Sequence, residues 1–293
     1  MKVAFLGLGV MGFPMAGHLA AKGHQVTVYN RTAQKAARWA KAHRGEVAAE
    51  PAGASKDSEI IFSCLGDDPD VEAVLSLVLR AVAKGALVVD HTTASPALAR
   101  RLAAAFGAKG VGFIDAPVSG GEAGAKAGTL AVMCGGEGAD IERARPAIEA
   151  YAARVVHVGP SGHGQLCKAV NQICIAGLVQ GLSEGVHFAK AAGLDIDRVF
   201  EAISGGAARS WQMENRMKTM SEGRFDFGFA VDWMRKDLRI ALDEARSNGA
   251  QLPVAALVDQ FYADIQAMGG GRLDTSSLVK RLSKQGDFPV GGA

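Results

Sequence analysis

The feature that most restricts the fold is a glycine turn near the start of the chain. Residues 3–6 are uniformly apolar and read as a buried strand, and Gly7-Leu8-Gly9-Val10-Met11-Gly12 follows without a gap. Residues 11–22 then have helical character and stop at Gly23, a residue suited to closing a helix. With this spacing Gly7 allows the sharp turn, Gly9 lets backbone approach a ligand, and Gly12 lets the helix pack closely on the strand. The unpaired N–H groups and dipole of the helix start then favour an anion. Gly7, Leu8, Gly9, Val10, Met11 and Gly12 are therefore expected to hold the pyrophosphate of a dinucleotide; a purely structural turn is the alternative.

Strands and helices alternate through the next hundred residues. Residues 25–29, 60–65 and 86–90 read as strands, and 33–43, 71–82 and 96–106 as helices, the first of them capped by Thr32. Such alternation implies parallel strands joined by crossover helices, so the expected class is α/β with a Rossmann-type doubly wound sheet. Strands at 113–115, 130–134 and 155–158 are less regularly spaced and suggest a mixed sheet edge. A cluster of breakers, Gly159-Pro160-Ser161-Gly162-His163-Gly164, closes this pattern. Residues 165–191 read as one long, largely apolar helix, and shorter helices follow near 197–203, 233–247 and 254–268. The expectation is a dinucleotide-binding domain over residues 1–160 and an all-helical C-terminal domain over 161–293, serving substrate binding and oligomerisation. A length of 293 residues agrees with roughly 150 per domain.

Composition narrows the function classes. Lysine and arginine number 32 against 30 acidic residues, mixed along the chain, so no basic block offers itself to nucleic acid or an anionic membrane. No apolar run of about 18 residues suggests a membrane span, and no secretory signal is visible. Cys64, Cys134, Cys167 and Cys174 form no CxxC pair and no cluster with histidine. They are read as small buried hydrophobes of a cytoplasmic protein, with no metal site.

The end of the second strand bears on the choice of coenzyme. A site for NAD usually places Asp or Glu there, about 20 residues on, against the ribose hydroxyls. Here Tyr29 is followed by Asn30-Arg31-Thr32. Asn30 repels no phosphate, Arg31 offers a planar cationic fork, and Thr32 adds a hydroxyl, a set that suits a 2′-phosphate and so NADP(H) over NAD(H). A solvated Arg31 and a merely capping Thr32 are the alternative. Leu65 and Thr93 follow later strand ends, where ligands of open sheets sit; helix capping before Pro96 is the competing role for Thr92, Thr93 and Ser95.

Three constellations carry chemistry. Asp115-Ala116-Pro117-Val118-Ser119-Gly120-Gly121 exposes a hydroxyl and consecutive N–H groups able to cradle a small carboxylate, or is a glycine-rich turn. Lys168, Asn171 and Gln172 fall at i, i+3 and i+4 on one face of the long helix. A lysine there is either solvated or buried; burial and a positive nicotinamide nearby would lower its pKa and suit it to proton exchange with a substrate hydroxyl. Lys236-Asp237 is either a surface ion pair or a part of the cleft, and Phe229 precedes it.

Taken jointly, these motifs resemble the β-hydroxyacid dehydrogenase family over nearly the whole chain. The resemblance rests on GLGVMGFPMA at 7–16, DAPVSGGEAGAKAGTL at 115–130, GHGQLCKAVNQ at 162–172 and KDL at 236–238. It implies Lys168 as the catalytic acid/base, and Ser119, Gly120 and Gly121 on the substrate carboxylate with Asn171 or Gln172 nearby. It also implies Thr93 and Lys236 on the coenzyme, and Phe229 and Asp237 beside the substrate. Asn30-Arg31-Thr32 is closer to the NADPH-dependent glyoxylate/succinic semialdehyde reductase branch, and Gln172 stands where isobutyrate enzymes have a second Asn. The implied activity is reversible reduction of a small carboxylate-bearing aldehyde or keto acid by NADPH, in a homodimer or homotetramer. Competing readings are a 3-hydroxyisobutyrate or tartronate semialdehyde type dehydrogenase, an imine reductase, and a non-catalytic NADP-binding module.

Overall fold

In the computed structural model, which describes residues 1–282, strand β1 (Lys2–Leu6) runs through the turn into helix α1 (Gly12–Ala21). The alternation then continues through β2 (Gln25–Tyr29), α2 (Ala33–Ala42), β3 (Glu46–Val47), α3 (Pro51–Ser55), β4 (Ile60–Ser63) and α4 (Asp68–Ala81). It ends with β5 (Leu87–Asp90), α5 (Pro96–Gly107) and β6 (Gly112–Asp115). These six strands lie in the order β3-β2-β1-β4-β5-β6, all parallel. The chain therefore reverses its direction of winding beside β1, where a crevice forms at the strand ends. Beyond them come β7 (Val118–Ser119), α6 (Gly121–Ala127), β8 (Leu130–Gly135), α7 (Gly138–Ile148) and β9 (Ala152–Gly159). Strand β8 is antiparallel to β6 and β7 and parallel to β9, which makes the expected mixed edge.

Period-two alternation feeds two apolar layers, because successive strand residues point to opposite faces. Val3 and Phe5 pack with Met15 and Leu19 of α1, Trp39 of α2 and Ile141 of α7. Ala4 and Leu6 pack with Val71, Leu75 and Val78 of α4 and with Leu98, Leu102 and Phe106 of α5. Both faces are thus covered by helices, and the polar chemistry is left to the strand ends.

The remaining described residues are helical: α8 (His163–Ala191), α9 (Ile196–Ile203), α10 (Trp211–Ser221), α11 (Val231–Asn248), α12 (Pro253–Ala267) and a 3-10 segment, Thr275–Leu282. The chain divides within α8 into two compact units, Met1–Lys168 and a second beginning at Ala169. The second unit has its own cores, one around Val179, Met234, Leu238, Val258 and Tyr262, the other around Val186, Met213, Met217 and Met220. A buried Asp274 ties its loops together, accepting from Arg216 Nε at 3.1 Å, from the Phe229 amide at 2.9 Å and from the Ser276 hydroxyl at 2.6 Å. No helix among the described residues is long and apolar enough to cross a membrane.

Two expectations need correction. Cys134 is buried and burial pushes its thiol up to about 12, but Cys174 lies on the exposed face of α8, so not all four cysteines are core residues. Thr32 does stand at the N-cap of α2, yet its side chain makes no capping bond; Asp67 caps α4 and Ser95 caps α5, the latter accepting from the Leu98 amide at 3.1 Å.

Candidate functional site

The glycine turn is shaped as its sequence requires. Gly7 has φ +99, and a Cβ there would lie 2.3 Å from the Cys64 carbonyl oxygen. A Cβ on Gly12 would lie 2.0 Å from the Gly7 oxygen. Both positions exclude a side chain to let the backbone close. Gly9 differs: a Cβ there meets nothing within 4 Å, so the bare backbone faces open space. Among the described residues no carbonyl accepts from the amides of Gly9, Val10 or Met11, whereas Leu8 donates to Asn30 Oδ1 at 2.8 Å. Amides without carbonyl partners beside open space are what a pyrophosphate needs, so these residues fit a dinucleotide. Asn30 is both neighbour and strut: its Nδ2 also donates to the Thr32 carbonyl at 3.0 Å. Arg31 is highly exposed and pairs with Asp70 at 2.9 Å; Asp70 in turn belongs to the capping box that starts α4.

The ends of β4, β5 and β6 bear a row of polar side chains. Ser63, Asp90 and Asp115 are in register across the three strands. Ser63 Oγ donates to Asp90 Oδ1 at 2.8 Å, as does Thr92 Oγ1 at 2.6 Å. Thr92 Oγ1 accepts from the Leu65 amide at 2.9 Å. Thr92 is therefore a buried brace between two loops, and Thr93 beside it is half-buried. Behind the row His91 is fully buried, bonded to the Ala116 carbonyl at 2.6 Å and to Tyr151 Oη at 2.8 Å, and stacked on Phe62. Burial pulls its pKa down to about 4, so it stays neutral.

Ser119 ends β7, and Gly120 and Gly121 follow with φ of +125 and +59 at the start of α6. Nothing lies within 4 Å of a Cβ built on Gly121. The space is open at Gly121, whereas a Cβ on Gly120 would lie 3.1 Å from the Leu130 side chain. In the same unit Lys168 is buried on the second turn of α8, at 7% exposure, so it is not a solvated helix lysine. The start of α8 is fastened by Asp115, which accepts from the Gly162 amide at 2.7 Å and from the Gln165 amide at 3.0 Å. Burial nonetheless raises the Asp115 pKa to about 7; the two amides pull it down and Asp90 adds to the rise.

In the second unit Gln172 is buried and donates to Asp237 Oδ2 at 2.6 Å, while Asn171 donates to Gln172 Oε1 at 2.7 Å. Lys236 lies 3.2 Å from Asp237 Oδ1 and 5.7 Å from the centre of the Trp233 ring, with only 11% and 2% of the two charged side chains exposed. The surface-pair reading of Lys236-Asp237 is therefore excluded. Phe229 packs partly buried against the core that contains Leu238. Trp211 instead covers Arg216 at the surface.

Comparison with known proteins supplies the lineage. Residues 2–159 match the model of the NAD-binding domain of 6-phosphogluconate dehydrogenase, and residues 162–282 match that of the NAD-binding domain of NADP-dependent 3-hydroxyisobutyrate dehydrogenase. The 2-hydroxy-3-oxopropionate reductase of Escherichia coli is 39% identical over 288 residues, covering 96% of this chain and 97% of its own. The chain belongs to the β-hydroxyacid dehydrogenase family. An uncharacterized oxidoreductase of Shewanella frigidimarina is 58% identical over 97% of this chain and 98% of its own. The solved 3-hydroxyisobutyrate dehydrogenase of Mycobacterium tuberculosis, with L-serine, superposes with a TM-score of 0.88 at 31% identity, over 96% of this chain and 99% of that one. As a β-hydroxyacid dehydrogenase the protein is an NAD(P)-dependent oxidoreductase acting on CH–OH groups. Asp90, Asp115 and Gln165 brace the loops around Thr92 and the start of α8, a role that the sequence reading assigned to none of them. The position of Asp90 and Asp115 at strand ends was the signal available for them, and Gln165 had none.

Proposed function

We propose that this β-hydroxyacid dehydrogenase is an NADPH-dependent reductase of small carboxylate-bearing aldehydes or keto acids, of the glyoxylate or succinic semialdehyde type, running reversibly as a hydroxyacid dehydrogenase. The observation that carries the reading is the burial of Lys168 in the same unit as the open glycine turn and the Ser119-Gly120-Gly121 cradle. A bound NADPH supplies a hydride to the carbonyl carbon. Gly7 to Gly12 hold its pyrophosphate, Leu65 and Thr93 line its path, and Asn30, Arg31 and Thr32 receive the 2′-phosphate. Recognition of that phosphate by Arg31 exchanges its exposed pair with Asp70 for a charge-assisted, fork-shaped contact. The match of residues 162–282 to an NADP-dependent enzyme's model supports the same preference.

Ser119 and the amides of Gly120 and Gly121 fix the substrate carboxylate, which sets the carbonyl in a reactive pose. Lys168 donates its proton from Nζ to the carbonyl oxygen as negative charge develops there, and takes it back in the oxidative direction. Asn171, Gln172, Phe229, Lys236 and Asp237 are the proposed substrate-binding contribution of the second unit, with Lys236 also assigned to the coenzyme. For self-association we assign the groove of about 440 Å³ along α8, where Gly181 is open beside Leu178, Leu182 and Met217. A homodimer or homotetramer in sedimentation analysis is the expected result.

The deciding experiment is Lys168→Ala, with turnover assayed on glyoxylate, succinic semialdehyde and 2-hydroxy-3-oxopropionate with NADPH or NADH, and on 3-hydroxyisobutyrate with NADP+ or NAD+. Loss of turnover with retained NADPH binding is expected, together with highest activity on one of the first two substrates. Near-normal turnover in the variant would remove Lys168 from the chemistry.

A further inference from the structure

A helix that must hold a proton donor in register begins here at a weak place. Gly162, with φ +91, and Gly164 flank His163 at the start of α8, and the first turn of any helix leaves N–H groups without internal partners. The fastening comes from outside the helix. Asp115 takes the amides of Gly162 and Gln165, one on each carboxylate oxygen. There is no slack in this joint, since a Cβ on Gly164 would lie 2.5 Å from the carbonyl oxygens of both Asp115 and Met133.

The Gln165 side chain then does something separate. At 2% exposure, it donates from Nε2 to the Thr92 carbonyl at 2.7 Å and accepts at Oε1 from the Ala94 amide at 3.1 Å. It copies a stretch of backbone and pairs with the loop on either side of Thr93. Lys168 stands three residues further along α8, on the same face and about 4.5 Å up the axis. One side chain thus links the turn that precedes the lysine to the loop that carries Thr93, and all of these residues lie within the first unit.

We propose that Gln165 is a positioning residue, which sets the register of Lys168 against the coenzyme-binding loop by gripping the backbone on both sides of Thr93. The proposal rests on the reading of Lys168 as proton donor. Gln165 touches no reacting atom, so its loss acts on the chemical step and leaves the pyrophosphate and 2′-phosphate contacts in place.

The test compares Gln165→Leu and Gln165→Glu with the parent enzyme, using NADPH and deuterated NADPH. In Gln165→Leu, kcat is expected to fall about 10- to 100-fold, while the NADPH dissociation constant stays within about threefold. The primary deuterium isotope effect on kcat should rise, because the misaligned chemical step becomes rate-limiting. A merely structural role would lower the active fraction and leave the isotope effect unchanged. Gln165→Glu gives an independent check should the leucine variant not fold. As its carboxyl becomes protonated at acidic pH it regains a donor for the Thr92 carbonyl, and its kcat relative to the parent at the same pH should climb. Parent-like kcat and isotope effect in the leucine variant, or a pH-independent ratio in the glutamate variant, overturns the proposal. If Lys168→Ala is inactive under those same conditions, the proton-donor reading survives that result; if Lys168→Ala turns over normally, that reading fails whatever the Gln165 variants do.

Discussion

The buried carboxyl at the start of α8 makes the stability of the first unit depend on pH in a way that can be worked out. Asp115 has two amide donors and a helix start beside it, all of which favour its ionised form. Against them stand its complete burial and the neighbouring Asp90, and burial wins, lifting the pKa from 3.8 to about 7. The folded state therefore keeps a proton that the unfolded state releases between those values. Stability from this group is fully present below about pH 4 and is lost as pH rises to 7, at about 1.4 kcal/mol per pH unit and about 4 kcal/mol in all. His91 works in the opposite direction. Its pKa falls from 6.5 to about 4, so its contribution is present above 6.5 and lost as pH falls toward 4. In the parent the two slopes offset each other between about pH 4 and 6.5. Asp115→Asn removes one of them. The variant should then gain stability relative to the parent from pH 4 to 6.5. The difference between the two proteins should move by about 4 kcal/mol in favour of the asparagine from pH 4 to 8. Urea unfolding followed by the blue-shifted emission of Trp39, fully buried in this unit while Trp211 and Trp233 are exposed, reads that difference. Parallel curves for the two proteins would show that the amides and the helix start outweigh burial, and the reasoning would fail.

Three further outcomes separate folding from binding at the coenzyme end. Gly9→Ala should leave the urea midpoint unchanged, since its Cβ meets nothing, and weaken NADPH binding at least about tenfold in a fluorescence titration because it fills the space a pyrophosphate needs. Gly12→Ala should do the reverse first, destabilising the unit by about 2 kcal/mol in the same unfolding assay, because its Cβ would be driven against the Gly7 carbonyl. Arg31→Ala should lower the ratio of kcat/KM for NADPH over NADH by about 10- to 100-fold, the worth of a charged hydrogen-bonding pair; an unchanged ratio would assign the 2′-phosphate to other residues.

Much of the fold was legible where its elements are strongly patterned. Strand β2 has the bounds that alternation predicted, and the large apolar helices lie within a residue or a few of their expected positions. The elements that went unread are those whose local signal is weak. Strands β3 and β7 are two residues each, too short for a period. Helix α6 begins at two glycines and reads as a turn, and α7 contains Pro146, which argues against a helix on sequence alone. Helix α10 carries Met213, Met217 and Met220 on its buried side but, apart from the exposed Trp211, is otherwise polar. The same division holds at the site. Gly7, Gly9 and Gly12 announce themselves because the chemistry needs residues without side chains at fixed spacing. Gln165 does not, because its meaning lies in a carbonyl and an amide 73 and 71 residues away.

What unites the supporting residues is their register. Parallel pairing puts Ser63, Asp90 and Asp115 side by side at the carboxyl ends of three adjacent strands. Carboxylates so placed repel each other and lose their water, so each must be surrounded by donors or stay protonated. Donors come from two places: Thr92, in the loop that leaves β5, serves Asp90, and the amides of Gly162 and Gln165, at the start of α8 after β9, serve Asp115. Satisfying the buried acids therefore fixes the loops, with Leu65 braced on Thr92 and the first turn of α8 braced on Asp115. The polar row thus costs the sheet stability and in return immobilises the segments that carry Thr93 and Lys168. On that argument a conservative change at Asp90, such as Asp90→Asn, disturbs the loops at residues 64–66 and 91–95 before it disturbs the sheet. Amide exchange at Leu65 should then rise while the amides of β1 and β4 remain protected.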